Sequence, residues 1–263
     1  MLTSAEQKFE DILATLSEHI AQASQFWFAG STINESSKQP KVVNAIQLTP
    51  GFWVCARRAL EDQAIVAVGK IFGHRGANPT NLDRFFEVLR SSRSTVFSKA
   101  ALAARKRRMA SLSDKHFADF MRSARAITEQ DINRLHTISK RHRRTYETQF
   151  AAIRNRHIAH FDLMTAAERN EMFAKTHIPD LEKLIAFLNQ FREAVRGMYY
   201  DGRKPVLRRM RWSVRSLVAK KVRELSRIPD HEFAVVETRK AMFLFTEGAK
   251  TLPRGHARSG TWE

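Results

Sequence analysis

A chain of 263 residues that is 43% hydrophobic and 27% charged can bury a substantial core, as one large domain or two small ones, which excludes a disordered protein. Its 45 Lys and Arg outnumber its 27 Asp and Glu for a formal charge of +18, so its favoured partners are polyanions. One cysteine excludes an internal disulfide framework and fits a reducing compartment, and no window approaches the roughly 18 uninterrupted apolar residues of a membrane span.

In chain order, the N-terminal segment carries acids early and no apolar stretch of signal type, so a cytoplasmic protein with no membrane partner is expected. Nearly every segment has helical spacing, and no period-two strand stands out, which predicts an all-α fold. Residues 4–24 place Phe9, Ile12, Leu13, Leu16 and Ile20 on one stripe behind a Ser4/Gln7 capping box. The polar stretch from Gly30 to Pro40 breaks that pattern. Thr49-Pro50 then reads as N-cap and first residue of a helix to about Phe72, stopped by Gly73 and Gly76. Cys55 lies in its apolar run between Trp53 and Leu60, where a buried, inert thiol is expected. Shorter helices are predicted over 80–90, 96–109 and 114–124. Thr128 with Asp131 opens the longest one, about 129–160, whose stripe is Ile132, Leu135, Ile138, Tyr146, Phe150 and Ile153. Thr165 caps a short helix, and Pro179-Asp180 starts a strong one that Asp201-Gly202 ends. Residues 203–227 hold ten Lys or Arg against one acid, Glu224, on an apolar helical stripe. A last helix, 230–247, precedes a tail expected to be disordered.

The run Arg154-Asn155-Arg156-His157-Ile158-Ala159-His160-Phe161-Asp162 closes the longest helix. An arginine that holds a phosphate beside an imidazole that moves a proton is sufficient for cutting RNA, because RNA brings its own nucleophile in the 2′-hydroxyl. On an ideal helix positions six apart lie about 120° from each other, so Arg154 and His160 share a site only if the helix ends or kinks near Ala159, or if a second chain faces them. Arg156 and His160, at i and i+4, are neighbours, so spacing leaves the acting arginine open. His157 continues the apolar stripe, where a hydrogen-bonded structural histidine is the commoner outcome, and Arg156 is as readily a solvated charge. His157, His160 and Asp162 make an incomplete metal set, and the chain has no HExxH, no Cys pair, no phosphate loop and no G-x-S-x-G turn, so no metal or other cofactor is expected.

Arg154-Asn155 followed by His160 resembles the R-polar-x(3–5)-H signature of the HEPN superfamily, the all-helical domains of many prokaryotic defence and toxin ribonucleases. Ile158 to Asp162, with the upstream Trp53…Ile71-Phe72-Gly73 helix, resembles most the abortive-infection AbiU-like branch, over roughly residues 5–200 and sharply only around the motif. The resemblance implies a HEPN-like antiparallel helical bundle with additional N-terminal helices over 1–202; the charge and spacing of the residues after it add a basic helical extension, 203–250, packed on it and a tail, 251–263. It implies a homodimer whose motif helices share a cleft, and metal-independent cleavage of single-stranded or transfer RNA in a toxin or phage-defence setting. An antitoxin or defence protein would be among its partners. Arg154, Asn155 and His160 are then the acting residues, with His157, Asp162 and Arg156 in support. Some members carry a tyrosine two residues past the histidine; Asp162 stands there, so a tyrosine-dependent variant is not expected. The alternative is a non-catalytic HEPN module that binds RNA or a partner protein.

Three basic groups are candidates for RNA contact: Arg105-Lys106-Arg107-Arg108; Lys140-Arg141-His142-Arg143-Arg144, two to three turns before Arg154; and Arg203, Lys204, Arg208, Arg209, Arg211 and Arg215 around Trp212, whose indole can stack on a base. The ordinary alternative for each is a solvated helix face.

Overall fold

The computed structural model describes residues 3–73, 81–109, 113–159, 165–174, 176–208 and 230–249. Regular structure among them is entirely helical, as the spacing predicts. The elements are α1 (Ser4–Ser36), α2 (Pro40–Ile46), α3 (Pro50–Phe72), α4 (Leu82–Ser91), α5 (Arg93–Val96), α6 (Lys99–Met109), α7 (Asp114–Ser123), α8 (Glu129–Gln149), a π-helical segment (Ile153–Ala159), α9 (Ala166–Ala174), α10 (Ile178–Asp201) and α11 (Asp230–Ala249).

Local chemistry sets several helix ends. Thr128 and Asp131 form the expected capping box, each side chain bonding the other's backbone amide, and Thr165 and Glu168 do the same at α9. At α1 the box is Thr3 with Glu6, one residue ahead of the expected Ser4/Gln7, because glutamate accepts two bonds from Thr3. Gly202 ends α10 at φ +57°, in the left-handed region where glycine is cheapest. The extension does not start as a helix: residues 203–208 are irregular, because Pro205 lacks an amide donor and disfavours helical backbone at Lys204. The rest of the expected extension helix and the tail lie outside the described residues.

The break expected at Gly30 is absent, and α1 runs on to Ser36. Gly30 is a contact glycine rather than a stop: a Cβ there would lie 3.5 Å from Leu60 Cβ, and Trp27, Phe28 and Ile33 around it are buried. Cys55 is exposed, contrary to expectation. Trp53, Ala56 and Leu60, at helical spacing, take the packed face of α3, which leaves Val54 and Cys55 outside.

The chain forms two compact units. The first, residues 1–20 and 65–211, is built on aromatic side chains. Phe9 packs against Phe85, Phe97 and Tyr199 at ring separations of 5.9, 4.9 and 5.0 Å, and Phe191 joins Phe85, Phe86 and Phe187. In α4 the buried positions Leu82, Phe85, Phe86 and Leu89 follow the i, i+3, i+4, i+7 spacing that turns one stripe inward. Helix α8 packs on both α4 and α10, and α6 packs on α10. Tyr199 Oη donates to Glu10 Oε1 at 2.6 Å, which ties α10 to α1. The second unit, residues 21–64 and 212–263, buries Ile33, Val42 and Met242 with Ile46, Trp53 and Leu60 against them. There α2 packs on α11, and Trp53 meets Phe245 edge-on at 4.9 Å.

Candidate functional site

Helix α8 delivers the motif. Ile132, Leu135, Tyr146, Phe150 and Ile153 are buried, so the predicted stripe anchors the helix on its core side; Ile138 is only half-buried and Ser139 takes the inward place. The α-helical pattern ends at Gln149, and residues 153–159 wind as a π-helix. The change of pitch widens the turn through i→i+5 bonding, a distortion concentrated at functional sites. The expected uninterrupted helix is thus corrected at the motif itself, and the ideal-helix angles between Arg154, Arg156 and His157 no longer apply.

Arg154 is half-buried and Nη1 donates to Asn155 Oδ1 at 2.7 Å, so the first two motif residues act on each other directly. Asn155 and Arg156 are exposed and His157 is half-buried. His160 and Asp162 lie outside the described residues.

Arg154 and Asn155 border a cavity of about 450 Å³ within the first unit. Its other walls come from α1 (His19), α3 (Gly69, Lys70, Phe72) and α8 (Tyr146, Glu147). Gly69 allows the close approach of α3 and α8: a Cβ there would stand 2.5 Å from the Tyr146 hydroxyl and 3.4 Å from Arg154 Cγ. Burial pushes the Tyr146 hydroxyl up to about 12, against the opposing pull of the Arg154 guanidinium, so it stays a neutral donor at physiological pH. None of these wall residues follows from sequence reasoning. A glycine inside the α3 run signals close backbone approach, whereas nothing marks His19, and Tyr146 reads simply as core.

The basic groups divide when their partners are known. Arg105, expected on an RNA-binding patch, is only 2% exposed. Both its terminal nitrogens donate to Val96 O, at 3.2 and 2.7 Å, and its guanidinium lies 3.7 Å from the Tyr199 ring, so it is a packing residue. Arg143 is corrected likewise: its side chain is 15% exposed and Nη1 donates to both Asp83 oxygens, at 2.8 and 2.9 Å. Arg108 pairs with Glu6 at 3.1 Å and Lys106 with Asp201 at 3.5 Å, while Arg107 is exposed over the Phe117 ring. Lys140, Arg141 and Arg144 are exposed on α8. Arg208 is exposed and borders a groove of about 370 Å³ with Arg203 and Lys204; Arg209, Arg211, Trp212 and Arg215 lie outside the described residues. Among the described residues no group of three His, Cys, Asp or Glu is placed to hold a metal ion, and no helix is long and apolar enough to cross a membrane.

A family model for the HEPN domain AbiU2 matches residues 6–209. No curated protein and no solved structure matches the chain.

Proposed function

Since this chain belongs to the AbiU2 family of abortive-infection-related HEPN domains, we propose that it is a metal-independent endoribonuclease of toxin or phage-defence type. The observation that carries this reading is the half-buried Arg154, coupled to Asn155, at the edge of a cavity of nucleotide size in a chain of charge +18. Arg154 stays charged and holds two oxygens of a phosphodiester while negative charge builds on them. The 2′-oxygen forms a bond to phosphorus and the bond to the 5′-oxygen breaks. His160, the motif histidine, takes the 2′-hydroxyl proton or returns one to the leaving oxygen, and Asn155 orients the guanidinium. The products are a 2′,3′-cyclic phosphate and a free 5′-hydroxyl.

Single-stranded or transfer RNA is the substrate in this reading, a second copy of the chain supplies the facing half of the cleft, and an antitoxin or defence partner holds the activity in check. Purified protein should cleave such RNA in EDTA and leave cyclic ends. Arg154→Ala and His160→Ala should each lower turnover by about 100-fold or more. Light scattering should give twice the chain mass of 30.3 kDa. Tight RNA binding without turnover would instead assign the non-catalytic module, and full turnover in both variants would remove the Arg/His assignment.

A further inference from the structure

We infer that the Arg154 cavity is a two-cation phosphate pocket, in which Lys70 shares the phosphate with Arg154 and His19 is a second imidazole acting at the same link. The inference rests on the ribonuclease reading and adds residues from α1 and α3 that lie far from the motif in sequence.

Gly69 is the geometric reason. Its missing side chain lets α3 lie against Tyr146 and Arg154, at distances that leave no room for a Cβ beside the tyrosine hydroxyl. The next residue, Lys70, is thereby carried to the wall of the cavity that Arg154 borders. Two cations on one cavity of about 450 Å³ match the two unesterified oxygens of a phosphodiester, one held by the planar guanidinium and one by the ammonium point charge. Tyr146 adds a neutral hydroxyl as a further donor.

His19 lines the same cavity from α1. Its Nδ1 is buried, so in this proposal Nε2 is the nitrogen that exchanges the proton. In 2′-hydroxyl attack one imidazole takes the 2′-proton and a protonated one supplies the 5′-oxygen, so a second imidazole completes the proton balance. Glu147 is the acid among the lining residues: it works against a bound phosphate, and its removal should favour one.

The test uses the full chain with two probes, a fluorescent mixed-sequence oligoribonucleotide and its uncleavable 2′-O-methyl form. Lys70→Gln should weaken binding of the uncleavable form about tenfold and lower its salt slope by about 0.7. Glu147→Gln should tighten it. His19→Gln should keep affinity within about threefold, lower kcat about 100-fold and remove one limb of the pH–rate profile. Since His19→Gln can disturb packing, the wild-type His19 imidazole resonance is also followed by NMR; it should move on addition of inorganic phosphate or of the uncleavable probe. Cleavage that depends on Arg154 but is indifferent to Lys70, Glu147 and His19, with an unmoved imidazole, overturns this inference and leaves the ribonuclease reading standing. Binding changes at Lys70 and Glu147 without cleavage by wild type keep the phosphate pocket, and remove both the ribonuclease reading and the proton transfer by His19.

Discussion

At Gly69 two opposed effects meet, and their sizes decide the outcome. Alanine is favoured over glycine in a helix by about 1 kcal/mol. A Cβ 2.5 Å from the hydroxyl of the buried Tyr146 forces overpacking that costs about 1–3 kcal/mol. Gly69→Ala should therefore destabilise the protein in urea unfolding, and its displacement of Arg154 should lower RNA cleavage as well. Adding Tyr146→Phe removes the nearest clashing atom and should recover part of the stability. The motif Arg154-Asn155 was legible from sequence because its residues are consecutive and their chemistry is local. Lys70 and His19 were not, because only packing places them on the cavity of Arg154. Cys55 shows the converse error: an apolar neighbourhood in sequence does not say which side of a helix faces inward.

At the scale of the element, α8 leads into the π-helical segment of the motif and itself carries two histidines that titrate with folding. Burial holds the His142 imidazole below its ordinary range, where it stacks on Phe187 at 4.0 Å. Burial, and then the cations Lys140 and Arg90, does the same to His136. Both groups bind a proton at higher pH in the unfolded chain, near 6.5, than in the folded one. Stability is therefore complete above that range and is lost as pH falls through it towards the folded values. Glu6 and Asp131 add to the loss at lower pH. In each, burial raises the carboxyl but bonds from the capping threonine and an arginine hold it below the usual carboxylate range, so their contribution persists until protonation begins. The melting temperature should drop between pH 7.5 and 5.5, and His142→Phe, which keeps the stack without the proton site, should flatten that drop. The starts of α8 and α9 and the end of α10 were readable because each rests on bonds between residues a few positions apart. The π-helical segment was not, since no side-chain pattern distinguishes it from a continuing α-helix.

For the whole molecule, the charge of +18 says that polyanions are favoured partners, while the tertiary structure says which cations remain to meet them. Lys140, Arg141 and Arg144 stay exposed, whereas Arg105 and Arg143 are bound within the fold. Replacing the three exposed residues with glutamine should lower the slope of log affinity against log salt for single-stranded RNA by about two, at roughly 0.7 per phosphate contact. Arg143→Gln or Arg105→Gln should instead lower the melting temperature, with little change in that slope. By itself the sequence determined the all-α class, the helix stops and caps at Thr128, Thr165 and Gly202, and the family motif, because all of these are written in bonds and periodicities a few residues long. Only the tertiary structure decided that Glu6 takes Arg108, that Asp83 takes Arg143, and that α1 and α3 wall the cavity of Arg154. Those partners are joined by packing between distant segments, and pairing at that range leaves no local pattern in the chain.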